Sequence, residues 1–102
     1  MIRHIVLLRF RSEVSDAEKS AIHADLLALR DLIPGMLTMS YGPNVSPEGL
    51  HRGFIDGFTI DFVDEAARDA YLVHPAHKSA GARLVAALEG GRDGLVVVDL
   101  VV

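Results

Sequence analysis

Residues 2–10 constrain the fold most. Ile2, His4, Val6, Leu8 and Phe10 share one face, and Arg3, Ile5, Leu7 and Arg9 share the other. A period of two reads as a β-strand, because successive side chains leave a strand on opposite sides. Both faces are largely apolar. Such a strand belongs in the middle of a sheet with both sides covered. A chain of 102 residues has length for one domain, 1–102, and one modest core.

The pattern then changes period. Ser15-Asp16-Ala17-Glu18 has the form of a capping box. Ile22, Leu26, Leu29 and Ile33 follow at spacings of 4, 3 and 4, with Asp16, Lys19, His23 and Arg30 on the opposite side. These features predict an amphipathic helix over about 15–32, stopped by Pro34-Gly35. Residues 36–41 read as a second, weaker strand, and residues 42–49 as a loop rich in turn formers. That loop is long for a hairpin connection, and long loops are often functional. In residues 53–63 the alternation returns: Phe54, Asp56, Phe58, Ile60 and Phe62 on one face, Ile55, Gly57, Thr59, Asp61 and Val63 on the other. Asp64 caps a helical region through Tyr71. The residue before a proline avoids the α region, so Pro75 breaks the helix at His74. Pro75 also suits the first position of a new helix, which runs to about Leu88. Gly90-Gly91 ends it, and Leu95–Val102 is a final strand.

The order β-α-β-β-α-β defines an α+β chain of the ferredoxin-like kind. Right-handed crossovers place the helices on one face of a four-stranded antiparallel sheet. The other face is left bare, with Ile5, Leu7, Ile55 and Val63 as candidate contributors. A bare apolar face is costly in water. Packing against a second copy removes it, so a homodimer is expected. Half of the residues being hydrophobic agrees with a second buried surface. The balance of 10 Lys and Arg against 14 Asp and Glu, with no long basic run, argues against a nucleic-acid partner. No cysteine is present, which excludes disulfides and thiolate chemistry. Met1-Ile2-Arg3-His4-Ile5 alternates rather than forming a secretory h-region, and no apolar run approaches the roughly 18 residues of a spanning helix. A cytoplasmic protein with no membrane partner is the expectation.

His77 opens the stripe His77, Gly81, Leu84, Leu88 at spacings of 4, 3 and 4, which turns it toward the sheet. It is either a core histidine with satisfied nitrogens or a functional one. Tyr71, one helical segment earlier, can anchor helix to sheet or donate a proton. Together the two suit proton transfer at a carbonyl-containing small-molecule ligand. His74, beside this pair, is a further candidate for ligand contact; His74 and His77 have an i, i+3 spacing that some metal sites use, but no third ligand stands nearby, and no metal is expected. His4 and Asp56 lie on otherwise apolar strand faces. A carboxylate there needs a partner or a polar cavity. A full-overlap register pairs residue 4 with about residue 60, leaving His4 and Asp56 about 13 Å apart. A direct dyad is disfavoured, although both could line one pocket. Phe54 and Phe58 could stack on a ligand, and core packing explains them equally well.

These segments resemble the stress-responsive dimeric α/β-barrel (Dabb) family over nearly the whole chain. The resemblance rests on His4-Ile5-Val6-Leu7, Ile33-Pro34-Gly35, Gly42-Pro43-Asn44-Val45-Ser46, Arg52-Gly53-Phe54 and, most specifically, Tyr71-Leu72-Val73-His74-Pro75-Ala76-His77. It implies a dimeric α+β barrel with two sheets face to face and a cavity between sheet and helices in each subunit. In olivetolic acid cyclase-like plant members, the residues matching Tyr71 and His77 are catalytic. Their strand-one histidine matches His4, and a further cavity histidine falls at Asp56, a departure that separates this chain from the polyketide reaction. The resemblance implies a binding protein with cyclase- or lyase-like acid–base chemistry and no cofactor. The alternatives are a non-catalytic stress-associated protein, or a haem- or quinone-handling monooxygenase of the wider superfamily with His77 as axial ligand.

Overall fold

The first strand lies where its two apolar faces require, inside the sheet. The computed structural model describes residues 1–102. In chain order it has β1 (Ile2–Leu8), α1 (Asp16–Ala28), a 3-10 turn (Leu29–Asp31), β2 (Met36–Pro43), β3 (Asp56–Phe62), α2 (Glu65–Val73), α3 (Pro75–Ala86), a second 3-10 turn (Gly91–Gly94) and β4 (Leu95–Val101). The sheet order is β2-β3-β1-β4, antiparallel throughout. This is the ferredoxin-like arrangement expected from the element order, with the second helical region split in two. The expected register also holds, since His4 stands opposite Ile60. No helix is long and apolar enough to cross a membrane.

Helix α1 starts as its sequence dictates. The Glu18 N–H donates to Ser15 Oγ at 3.1 Å. The Glu18 carboxylate, which a capping box would return to the helix start, instead accepts from Arg83 of α3 at 3.2 Å. Arg83 also reaches Asp25 at 2.7 Å, so one guanidinium joins two helices. Ile22, Leu26, Leu29 and Ile33 are all buried, as their spacing predicts. His23 is not on the polar side: it is 3% exposed, among Phe10, Tyr41 and Phe58. The buried arc of α1 is wide enough to take in the neighbour of Ile22, and the rings of Phe10, just after β1, Tyr41 of β2 and Phe58 of β3 complete the slot.

Two strand ends differ from expectation. β2 continues through Gly42 and Pro43, where it pairs with Gly57 and Asp56. β3 begins at Asp56 rather than residue 53, because Arg52 (φ 56°) and Gly53 (φ 85°) are left-handed and interrupt extended backbone. The alternation therefore does not carry back to Phe54. Its ring lies against Arg9, 5.2 Å from the guanidinium carbon, beside an open-face hollow lined by Ile5, Leu7 and Gly57. Phe54 lies outside β3, whereas Phe58 lies within it and is buried.

Gly35 is required by both backbone and packing. Its φ is 89°, and an added Cβ would stand 2.7 Å from Ala67 Cβ and from Val63 Cγ1. Gly35→Ala is expected to cost about 2–4 kcal/mol, combining a left-handed non-glycine residue with overpacking. Urea unfolding checks this; an unchanged midpoint would contradict it.

The helix-covered face carries Ile2, Val6 and Leu8 of β1 and Phe58, Ile60 and Phe62 of β3, all buried. On the bare face the apolar residues gather at one side. Ile5 and Leu7 of β1 pair with Val98 and Val96 of β4, and Leu100 continues the row. Leu7, Val98 and Leu100 are 40%, 47% and 49% exposed. The β2–β3 side is polar, with an Arg3–Asp61 ion pair at 2.9 Å. Ile55 and Val63 are exposed just beyond the ends of β3.

Candidate ligand site at the α2–α3 break

The break at Pro75 shapes the site. Asp64 caps α2 by accepting from the Ala67 N–H at 2.9 Å. At His74 the backbone turns extended (φ −66°, ψ 132°), and Pro75 starts α3. The His74 ring becomes the cap of α3, its Nδ1 accepting from the Ala76 N–H at 3.0 Å. Here His74 holds the corner between two helices, whereas Tyr71 and His77 line the cleft itself. No three His, Asp or Glu side chains gather to hold a metal ion.

That corner brings Tyr71 and His77 together, with ring centroids 4.2 Å apart. His4 of β1 comes up from the sheet, its ring 5.8 Å from Tyr71. All three border a cleft of about 830 Å³ between α2, α3 and the β1–β4 half of the sheet, with Val6, Phe58, Leu84, Leu95 and Val97 among its apolar walls. Such a concave, mostly apolar space with a few convergent polar groups is the usual form of a small-molecule site.

Each polar group has a held state. Burial pushes the Tyr71 phenol far above its ordinary value, so it remains a proton donor. Burial also holds His77 below the usual histidine range, opposed by its hydrogen bond to Leu72. His77 Nδ1–H donates to the Leu72 carbonyl at 3.2 Å, which leaves Nε2 as the acceptor nitrogen. His4 Nδ1 donates to Asp99 Oδ1 at 2.7 Å, and Arg68 donates to Asp99 Oδ2 at 2.8 Å. Burial of Asp99 favours its neutral form, but the hydrogen bonds from His4 and Arg68 outweigh this and hold the carboxyl below its ordinary range.

Asp99 and Arg68 are the members that sequence reasoning missed. Asp99 is the lone charge in Leu95–Val102 and alternates with Val97 and Val101. A carboxylate on an apolar strand face needs a partner, which marks Asp99 as it marks Asp56. Asp56 itself stands opposite Leu8, at the far end of β1 from His4. Its carboxylate accepts from Lys19 at 3.2 Å, and it does not line the cleft. The partner that Asp56 needed is thus a lysine on α1, and the partner of His4 is an aspartate on β4. Of the candidate ligand-contacting residues, the fold brings Tyr71, His77, His4 and Phe58 to one cleft and leaves Phe54, Asp56 and His74 outside it.

A second histidine is buried beneath α1. His23 stacks on Tyr41 at 4.2 Å, and its Nδ1 has no hydrogen-bond partner. Burial lowers its pKa; Asp56 opposes and Lys19 assists. The unfolded chain gains a proton below about pH 6.5, while the folded protein resists it, so stability falls on acidification through that value. His77 acts in the same sense. His23→Phe fits an aromatic slot and removes one of these contributions. Its loss of stability between about pH 7 and pH 5 is expected to be smaller than that of the parent. Urea unfolding at each pH tests this, and an unaltered dependence would refute it.

A family model, the stress responsive A/B barrel domain (Dabb), matches residues 2–102. The chain belongs to the Dabb family. Among curated Dabb relatives, olivetolic acid cyclase from Cannabis sativa is 25% identical over 80 residues, covering 78% of this chain and 79% of that protein. Stress-response A/B barrel domain-containing protein HS1 from Arabidopsis thaliana is 29% identical over 98 residues, covering 96% and 86%. A crystal structure of a dimeric ferredoxin-like protein of unknown function from Jannaschia sp. CCS1 superposes with a TM-score of 0.90 and 39% identity, covering 99% of this chain and 98% of that one. The Dabb assignment and the ferredoxin-like topology therefore agree.

Proposed function

We propose that this Dabb protein is a homodimer that binds an apolar, carbonyl-containing small molecule and carries out acid–base chemistry on it. The observation that carries the reading is the meeting of Tyr71, His77 and His4 on one apolar cleft. Tyr71 donates a hydrogen bond to the carbonyl oxygen, where negative charge develops. His77 Nε2 takes a proton from the adjacent carbon. Asp99 is a positioning residue: through His4 it holds the ring that backs Tyr71. The similarity to a cyclase supports an activity of this general kind. For the dimer, the support is the row of exposed apolar residues on the bare sheet face and the dimeric state of the Jannaschia protein.

The binding half of the proposal is tested with 2-decanone, followed by amide chemical shifts. Saturable shifts in α3, β4 and the Tyr71–His77 corner are expected. Shifts scattered over the surface, or none, would defeat it.

A further inference from the structure

We propose that the ligand of this cleft carries a carboxylate, held by Arg92 at the end of the cleft remote from His4. The inference rests on the ligand-cleft reading above and names its substrate class.

Arg3, Lys19, Arg68 and Arg83 are each paired with a carboxylate within 4.0 Å. Arg9 and Arg11 donate to backbone carbonyls. Arg30, Arg52, Lys78 and Arg92 have no such partners, and of these four Lys78 and Arg92 line the cleft. No aspartate or glutamate lines it, although the chain as a whole carries a net charge of −4. Two unpaired cations on an otherwise apolar cleft give it a sign opposite to that of the protein. Such a field favours an anion and discriminates against cationic ligands.

Position narrows the class. Arg92 lies in the turn that leads into β4, just before Leu95, which stands opposite Leu8. Asp99, the partner of His4, is four residues further along β4. At about 3.3 Å per residue the Leu95–Asp99 stretch of β4 spans about 13 Å, the reach of a medium-length alkyl chain. Leu95 and Val97 form the wall between the two ends. A molecule with a carboxylate at Arg92, an apolar body along β4 and a carbonyl beside Tyr71 and His77 satisfies every part of the cleft. Guanidinium suits this role because its fork can bind both carboxylate oxygens. Lys78, next to His77, adds to the positive field without being the carboxylate's seat.

The test compares decanoate with 2-decanone by isothermal titration on the full-length protein, its Arg92→Gln variant and an Arg30→Gln control. Arg92 and Arg30 are both exposed, and Arg30 does not line the cleft. Decanoate is expected to bind at least about tenfold more tightly than the neutral ketone. Arg92→Gln should abolish that preference by weakening decanoate binding, and Arg30→Gln should retain it. Equal binding of acid and ketone to the parent protein would overturn the inference while sparing the cleft. A preference that survives Arg92→Gln would overturn the assignment to Arg92. Failure of both probes to bind would overturn the ligand-cleft reading beneath it.

Discussion

Val98→Asp is expected to split the dimer, so that light scattering at tens of micromolar reports the 11.0 kDa chain instead of twice that mass. Val98 sits opposite Ile5 in the middle of the apolar half of the bare sheet face, flanked by Val96 and Leu100. It is 47% exposed in the single chain, so a carboxylate there leaves the subunit's own core intact. In a two-fold symmetric interface the change appears twice. Each buried, unpaired carboxylate costs several kcal/mol. Because about 1.4 kcal/mol is tenfold in affinity, dissociation should strengthen by at least about a thousandfold. Circular dichroism should remain that of the parent. Val98→Asp remaining dimeric would place the interface elsewhere, and a parent protein that is already monomeric would remove the dimer from the proposal.

His77→Ala and Tyr71→Phe carry the next largest effects. If the cleft performs proton transfer, the parent protein should accelerate exchange of the α-protons of 2-decanone in deuterated water, observed by NMR. His77→Ala removes the base and should lower the rate by about 10²–10⁴, the range of a positioned general base. Tyr71→Phe keeps the ring packing but removes the donor, for a loss of about 10² or more. Asp99→Asn retains a partner for His4 without the full charge, and about a tenfold loss is expected, smaller because Asp99 acts through another residue. The pH profile distinguishes this from a structural role. Burial holds His77 below the usual histidine range, so the rate should fall only on the acid side of about pH 6.5. Burial keeps the Tyr71 phenol protonated beyond its ordinary value, so no loss is expected up to about pH 10. Full rates in both His77→Ala and Tyr71→Phe would leave the cleft as a binding site without chemistry.

The site was partly legible in the chain. Pro75 announced the break, and the 4, 3, 4 stripe of the following helix turned His77 inward. The meeting of Tyr71 with His77 follows from these two features. His4 and Phe58 were legible from alternation, since both lie on the helix-covered face. Phe54 was misplaced because alternation assumes unbroken extended backbone, and the left-handed Arg52 and Gly53 break it. His23 was misplaced because a helix wheel divides a helix into two sides, whereas α1 is enclosed over a wider arc by Phe10, Tyr41 and Phe58.

The sequence by itself determined the element order, the position of β1 inside the sheet, the register of His4 against Ile60 and the sidedness of Tyr71 and His77. All of these follow from local periodicity, caps and breaks, together with the few ways four strands and their crossovers can connect. Only the tertiary structure decided which charges pair. Asp99 reaches His4 across 95 residues of chain, Lys19 reaches Asp56 across 37, and Arg83 reaches Glu18 across 65. It also decided which face of β4 is bare, because Leu95–Val102 is apolar at nearly every position and its alternation points nowhere until β1 pairs with it. Ion pairs and strand facings of this kind depend on side chains from distant segments arriving at one place, and no local pattern records that arrival.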